Sequence, residues 1–368
     1  MRVAVVLEQC WHRVPGGTAR AALEQVRAVM ETRRVDQIGL AAYHRRLPPD
    51  PWRPAIPVRY LPLPRKVLYE SWNRLRRPSI ERITGRVDVI HATGYAVPPR
   101  TSPLVVTVHD VAWRRDPSNF TPNGVQFLEG ALTRTREEAD LVLCPSNATL
   151  DDCAAAGIEQ ARLRRIPWGI EAAQASEDAV TAVRDHYGLD GRYILTVGTL
   201  EPRKNLPRLL EAFSRLPHDD VVLAVAGQAG WGDALGRPAE ELGDRVKLLG
   251  FVPPEDLPAL NRGAAVVCYP SLWEGFGLPV AEALAQGAPV VTSKGTATEE
   301  LVEGGAGIAV DPYDPDAIAG ALAELLDDVD LAELYRHAAL RRAAERTWAS
   351  TAAQTIAAYE WVTRVAAS

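Results

Sequence analysis

The stretch Glu274-Gly-Phe-Gly-Leu-Pro-Val-Ala-Glu282 decides how this chain is read. Two carboxylates enclose two glycines and a proline. The residues just before it, Gly263-Ala-Ala-Val-Val-Cys-Tyr-Pro-Ser-Leu272, read as a buried strand running into a loop. Pro279 suits the first turn of a helix, where its missing N–H has no partner to lose. Glu274 is therefore expected in the loop and Glu282 about one turn into the helix. Gly275 and Gly277 let a backbone approach a ligand closely. The helix N-terminus beside Phe276 and Leu278 favours anionic groups such as phosphate. Two acids at such a corner can accept hydrogen bonds from hydroxyl-rich groups, a sugar or a ribose. The plainer alternative is a turn followed by a solvated helix acid.

A second corner lies about 70 residues earlier, in Val197-Gly-Thr-Leu-Glu-Pro-Arg-Lys-Asn-Leu206. It follows one expected strand and precedes a helix opened by Asn205, a favourable cap residue. Arg203 offers a bidentate fork and Lys204 a point charge, a pair suited to a diphosphate. Read alone, the pair could be two solvated cations in a turn.

Together the two corners resemble the diphosphate-binding loop and the E-x7-E signature of retaining GT-B glycosyltransferases of the group-1, family 4 type. The resemblance covers nearly the whole chain. It is strong from about residue 193 to 326 and looser before that. It implies two Rossmann-like doubly wound domains facing across a cleft. The donor would be a nucleoside-diphosphate sugar, GDP- or UDP-linked and of the mannose or glucose class. The acceptor would be a glycan, a lipid-linked sugar or a small molecule.

Carried over residue by residue, Arg203 and Lys204 would take the diphosphate and Gly198 would belong to the same loop. Glu274 and the backbone of Gly275, Phe276, Gly277 and Leu278 would hold the sugar hydroxyls. Glu282 would accept from the ribose. Val252, in Gly250-Phe-Val-Pro253, is a candidate neighbour of the base. The resemblance also implies catalysis without a bound metal and without a cofactor. Retention in the family is usually attributed to same-face attack assisted by the leaving phosphate. Rival readings are a non-catalytic nucleotide-sugar-binding partner of a transferase, or an epimerase or phosphorylase on the same fold.

The first half carries weaker signals. Gly16 and Gly17, in Val14-Pro-Gly-Gly-Thr18, could expose backbone N–H groups to substrate, and a plain turn explains them as well. No G-x-G-x-x-G fingerprint occurs, which argues against a nicotinamide dehydrogenase. His109 ends the strand in Val105-Val-Thr-Val-His-Asp110, and a buried structural histidine is its alternative. In the resembling enzymes such a histidine stands beside the reacting sugar. His91 is a similar strand-end residue with a weaker claim. Ser146 matches a strand-end serine of the family and is equally a helix cap. Asp314-Pro-Asp316 looks like a metal motif but reads better as a cap, and no metal ligand set is expected. Glu299 and Glu300 are expected only to shape a loop.

At 368 residues the chain is long enough for two domains. Short β-branched runs alternate with amphipathic segments, the mark of parallel α/β layers. The expected strands are Val3–Leu7, Asp36–Leu40, Val58–Leu61, Val87–Ile90, Leu104–Val108, Leu141–Cys144 and Leu163–Ile166. In the second half they are Tyr193–Val197, Val221–Ala226, Val246–Leu249, Ala265–Cys268, Pro289–Thr292 and Ile308–Val310. Expected helices include Thr18–Glu31, Asn123–Glu138, Leu206–Leu216, Pro254–Arg262, Pro279–Gln286 and Pro315–Leu326. The patternless Trp168–Ser176 reads as a linker. It separates an acceptor-side domain, 1–168, from a donor-binding domain, 169–349. A last helix, about 350–368, is implied by the resemblance to cross back onto the first domain.

The net charge of −6 hides about +8 over residues 1–170 and −14 beyond. The basic half lacks the patterning of a nucleic-acid reader, so no nucleic-acid partner is expected. Between Arg45 and Arg100 stand 12 Lys and Arg against 4 Asp and Glu. Within Arg59–Arg77 these interleave with Tyr69, Trp72 and Leu75, and the helical part should put Leu68, Trp72 and Leu75 on one side, a pattern that fits peripheral contact with an anionic membrane or simply an amphipathic helix. No apolar run reaches the ~20 residues of a membrane helix, and the N-terminus reads as a strand too short for a signal peptide. Four scattered cysteines fit a reduced, cytoplasmic setting, peripheral at most on the inner membrane face.

Overall fold

A computed structural model describes residues 1–13, 15–228 and 241–367. The chain divides into two compact units, residues 1–169 with 348–368, and residues 170–347. Each unit is built on one all-parallel sheet.

The first sheet contains β1 (Arg2–Val6), β2 (Asp36–Ala41), β3 (Val58–Tyr60), β4 (Val89–Ala92), β5 (Leu104–Thr107), β6 (Leu141–Cys144) and β7 (Leu163–Arg165). Their order is β3-β2-β1-β4-β5-β6-β7. The second contains β8 (Arg192–Val197), β9 (Val221–Ala226), β10 (Val246–Gly250), β11 (Val266–Tyr269), β12 (Val290–Ser293) and β13 (Ile308–Val310). Their order is β10-β9-β8-β11-β12-β13. In both sheets the direction of winding reverses beside the first strand, between β1 and β4 and between β8 and β11. Open parallel sheets bind ligands outside the carboxyl ends of the strands at such a point.

The continuous apolar runs have a direct cause. Alternate residues of a strand point to opposite faces, and here both faces are covered. Ala4, Val6, Leu104, Val106 and Val142 belong to one buried cluster. Their neighbours Val3, Val5, Val105, Leu141 and Leu143 belong to another. A strand buried on both sides must be apolar at nearly every position.

The expected strands all form, with ends shifted by at most a few residues. Helices not among those named include Asn147–Ala155, Glu177–Tyr187 and Val329–Ala344. The Trp168–Ser176 segment carries no helix or strand. The helix expected at Pro254 begins at Leu257.

The last helix, Trp348–Ala367, belongs to the first unit. Ala352, Ile356, Tyr359 and Val362 recur at helical spacing and join Val26 and Val29 of the helix Gly16–Glu31 in one core. Polar contacts fix its register. Gln25 Nε2 donates to Thr355 Oγ1 at 2.9 Å. His91 Nδ1 lies 2.7 Å from Tyr359 Oη, and its Nε2 lies 2.8 Å from Thr107 Oγ1. His91 is 1% exposed, so its ring is enclosed among these partners. It serves packing here, the plainer of its readings.

The helix Arg65–Arg74 buries Leu68 and Trp72 in the first unit's core. Leu75 does not share that face and is 70% exposed. Arg76 turns inward, donating to Pro98 O at 2.7 Å and to Glu138 Oε2 at 2.6 Å. Much of this amphipathic pattern is therefore used inside the unit.

Candidate active site

The two corners singled out by sequence converge in the second unit. β8 and β11 are neighbours, with Val266 beside Ile194 and Val267 beside Leu195. Their carboxyl ends lead into the two loops. After β8, Pro202–Lys204 form one tight helical turn. After β11, the chain runs from Pro270 to the helix Leu278–Ala285, which contains Glu282 in its second turn. Leu272 N–H donates to Arg203 O at 2.9 Å and ties the loops together.

Asn205 corrects one expectation. It precedes the helix Leu206–Ser214 in a left-handed conformation, φ 61°, and makes no side-chain cap. Its Nδ2 instead donates to Pro270 O at 3.0 Å and Pro312 O at 2.6 Å, pinning the β11 and β13 loops to the β8 loop. An amide inside three converging loops satisfies buried carbonyls that no strand reaches.

Lys204 Nζ lies 2.6 Å from both Glu274 Oε1 and Tyr269 Oη. Tyr269 Oη donates to the same Glu274 oxygen at 3.0 Å. Arg203 Nη1 stands 3.0 Å from Glu274 Oε2 and donates to Trp273 O at 2.9 Å. The other side of its fork meets Glu201 Oε1 at 2.7 and 3.1 Å. Glu201 and Glu274 are each 7% exposed. Burial by itself would raise the Glu274 carboxyl, but the charges of Arg203 and Lys204 outweigh it and hold the pKa at about 2. Burial and the adjacent Arg203 push the Lys204 ammonium below its ordinary value. Burial keeps Tyr269 protonated far above neutral pH.

The sequence reading kept Glu274 and the two cations apart, one for sugar and the others for diphosphate. The structure joins them in a formally neutral cluster with Glu201. Glu201 and Tyr269 were missed as members. The signal for Tyr269 was available: it ends β11, beside the β8 loop. Gly198 sits under the Lys204 stem, where a Cβ would be 3.4 Å from Lys204 Cε. Gly277 was read as a place for a ligand to come close. The chain itself explains it: φ is +94°, and a Cβ would lie 2.4 Å from Thr298 Cγ2. Gly275 and Phe276 are buried in the same loop and Leu278 is half-buried. Val252 is buried just beyond β10.

In the first unit, Gly16 opens the helix Gly16–Glu31 with φ +63° and Gly17 follows within it. Val14 of that motif lies outside the described residues. His109 is 6% exposed just beyond β5. Its Nε2 is 2.8 Å from Thr93 O. A carbonyl cannot donate, so Nε2 carries the hydrogen and Nδ1 presents a lone pair. Among the described residues Nδ1 is buried with no partner. Burial lowers the His109 pKa, which favours this neutral form. Trp168 covers the ring, centroids 5.0 Å apart. Ser146 is a cap: its Oγ accepts from Thr149 N at 3.1 Å.

The suspected metal pair is also a cap. Asp314 accepts from Asp316 N at 2.9 Å and Ala317 N at 3.2 Å. Glu299 shapes its loop by accepting from Gly295 N at 2.6 Å. Among the described residues no group of three or more His, Cys, Asp or Glu could hold a metal ion.

Residues 184–342 match the family described as glycosyl transferases group 1, and residues 15–174 match glycosyltransferase family 4. Over 282 residues the chain is 32% identical to the O-antigen chain mannosyltransferase B of Escherichia coli, covering 74% of each. It is 33% identical to a GDP-mannose-dependent α-(1-6)-phosphatidylinositol monomannoside mannosyltransferase of Mycolicibacterium smegmatis, covering 66% of this chain and 63% of that one. The fold matches that of HepE from Anabaena, solved with UDP and glucose, at a TM-score of 0.76 and 21% identity, over 97% and 98% of the two chains. The fold is GT-B, two parallel-sheet α/β domains. The chain belongs to the group-1, family 4 glycosyltransferases. It is a glycosyltransferase.

Proposed function

We propose that the chain transfers a mannosyl group from a GDP-linked donor, with retention, to a saccharide acceptor in glycoconjugate assembly. The names of the E. coli and M. smegmatis relatives support mannose, and the second supports the guanine nucleotide. The observation that carries the reading is the Arg203–Lys204–Glu274 cluster beside the β8/β11 reversal. A departing diphosphate needs positive charge that is already in place when the glycosidic bond breaks. Arg203 and Lys204 supply it. Glu274 holds them there without substrate and, being ionised, is free to accept from sugar hydroxyls. Glu282 accepts from the ribose. His109, just beyond β5, helps orient the transferred sugar. The second unit is the donor-binding domain and the first the acceptor-side domain, with neither metal nor cofactor required.

Titration calorimetry with GDP, UDP and ADP on the full chain, in EDTA, tests the donor. GDP should bind most tightly. The one-bond C1–H1 coupling of the product made from GDP-α-mannose tests the stereochemistry. A β-linked product overturns retention, and a preference for UDP overturns the guanine assignment.

Peripheral contact with anionic lipid is a second, finer reading. Lys66 and Arg77 are exposed, with Val67 and Leu75 exposed nearby in sequence. Among the described residues no helix is long and apolar enough to cross a membrane. Each basic side chain near such a surface contributes about 1 kcal/mol, screened by salt. Co-sedimentation should favour phosphatidylserine vesicles over phosphatidylcholine at low salt. Equal binding to both removes the lipid reading.

A further inference from the structure

The first unit holds a cavity of about 450 Å³ that the donor chemistry does not use. That size lies within the roughly 300–1,000 Å³ of small-ligand sites. It opens where the chain leaves the carboxyl ends of β1 and β2. Its lining includes Trp11, His44, Trp52, Arg13, Arg45 and Arg46.

Two features make it a built site. Its aromatic wall is held rigidly. Trp11 and His44 stack with centroids 5.1 Å apart and planes 12° apart. The Trp11 indole N–H donates to Arg46 O at 3.0 Å. His44 Nε2 lies 2.9 Å from Glu8 Oε1, while Glu8 Oε2 accepts from Ala42 N at 2.7 Å. Glu8 is 1% exposed, so it anchors the wall from beneath.

Its cations are also unspent. Among the described residues Arg13, Arg45 and Arg46 form no ion pair, and all three are exposed. Elsewhere in the same unit Arg76, Arg100, Arg114 and Arg115 each meet a carboxylate within 2.7 Å. His12, also on the lining, adds no charge near neutral pH, because burial and the nearby Arg65 lower its pKa to about 4. Flat aromatic faces suit the apolar face of a sugar ring. Guanidinium forks suit phosphate oxygens.

We infer that this cavity binds a phosphate-bearing saccharide as the acceptor. The inference rests on the glycosyl-transfer reading but on none of the donor-site residues. Trp11 and Trp52 bear on the sugar, and Arg13, Arg45 and Arg46 take the phosphate. The phosphate is either the soluble ester of a sugar or the link between sugar and lipid.

Binding of glucose 1-phosphate, octyl glucosyl phosphate, glucose and inorganic phosphate to the full chain separates the possibilities. Glucose 1-phosphate should bind well above both glucose and phosphate. Arg45→Ala/Arg46→Ala, at exposed positions, should weaken it about tenfold or more with an unchanged melting temperature. Trp52→Ala should weaken both sugar phosphates and leave inorganic phosphate alone. Tighter binding of the octyl ester identifies a lipid-borne acceptor, and equal binding a soluble one. Lys204→Ala should change none of these affinities. If Lys204→Ala abolishes binding while Arg45→Ala/Arg46→Ala does not, the sugar phosphate occupies the donor cluster and the inference fails. It fails equally if glucose 1-phosphate binds no better than glucose. Failure of the donor reading would appear separately, as GDP affinity insensitive to Lys204→Ala.

Discussion

The two sheets wind in the same order, yet they bury polar groups by opposite means. The second unit buries charges in pairs: Glu274 against Lys204 and Arg203, and Glu201 against Arg203. Apart from Glu8 beside His44, the first buries neutral imidazoles: His91 between Tyr359 and Thr107, and His109 on Thr93 O. A desolvated charge persists only with a partner, and an imidazole without a carboxylate sheds its proton instead. Electrostatic function is thus already assembled in the second unit. In the first, among the described residues, Arg13, Arg45 and Arg46 stand at the surface without an ion pair, around the cavity inferred to take a ligand.

The hardest blow to this contrast is Lys204→Ala. Turnover should fall by about 100-fold or more, since a group facing developing charge is worth ~2.7–4 kcal/mol. Breaking a buried pair also destabilises by ~3–5 kcal/mol. Lys204→Met with Glu274→Gln should recover much of the stability and none of the activity. If Lys204→Ala keeps wild-type kinetics and melting temperature, the cluster is neither paired nor functional as described.

Acid should then separate the units. His91, lowered from 6.5 to about 3, stays neutral in the folded chain while the unfolded chain takes up a proton. Stability is therefore lost as pH falls below 6.5, by about 2 kcal/mol at pH 5 for this group. Glu274 has its carboxyl lowered from 4.5 to about 2, so its contribution is intact above 4.5 and lost as pH falls towards 2. Hydrogen exchange at pH 7 and pH 5 should show the first unit loosening first. Equal loosening would erase the distinction.

A smaller effect probes the imidazole side alone. Tyr359→Phe removes the partner of His91 Nδ1 and should cost ~1–3 kcal/mol, the penalty of a buried polar atom left unmet. The change should appear in the melting of the first unit and leave GDP affinity untouched. A neutral outcome would mean that the last helix is held by its apolar stripe alone.

Much of the fold was legible because parallel strands covered on both faces write themselves as unbroken β-branched runs. The helix Val329–Ala344 was harder to read. Its chain mixes Ala, Arg and Leu, and only Ala338, Ala339 and Ala343 are buried along it. At the site, Arg203, Lys204 and Glu274 were legible because each ends a loop of diagnostic spacing. Glu201 and Tyr269 were missed: Glu201 meets Arg203 only two residues on, where it read as a loop acid, and Tyr269 meets Lys204 65 residues away although its place at the end of β11 was legible. The grouping of Trp72 with Leu75 failed because the helix ends at Arg74 and Leu75 lies past its last turn.

The sequence by itself determined the alternation of strand and helix, the two-unit plan and the corners that carry the chemistry. These follow from local periodicity, from glycine and proline at loop ends, and from residue types that only a few chemistries use. Only the tertiary structure decided that Glu274 neutralises the two cations, which were expected on the diphosphate while it held the sugar. It also decided that Asn205 is a brace, that His91 is a packing residue, and that among the described residues Arg13, Arg45 and Arg46 remain without an ion pair around a cavity. Each of these is a matter of which side chains meet after the sheets close. Pairing and desolvation depend on distance in space, which spacing along the chain does not encode.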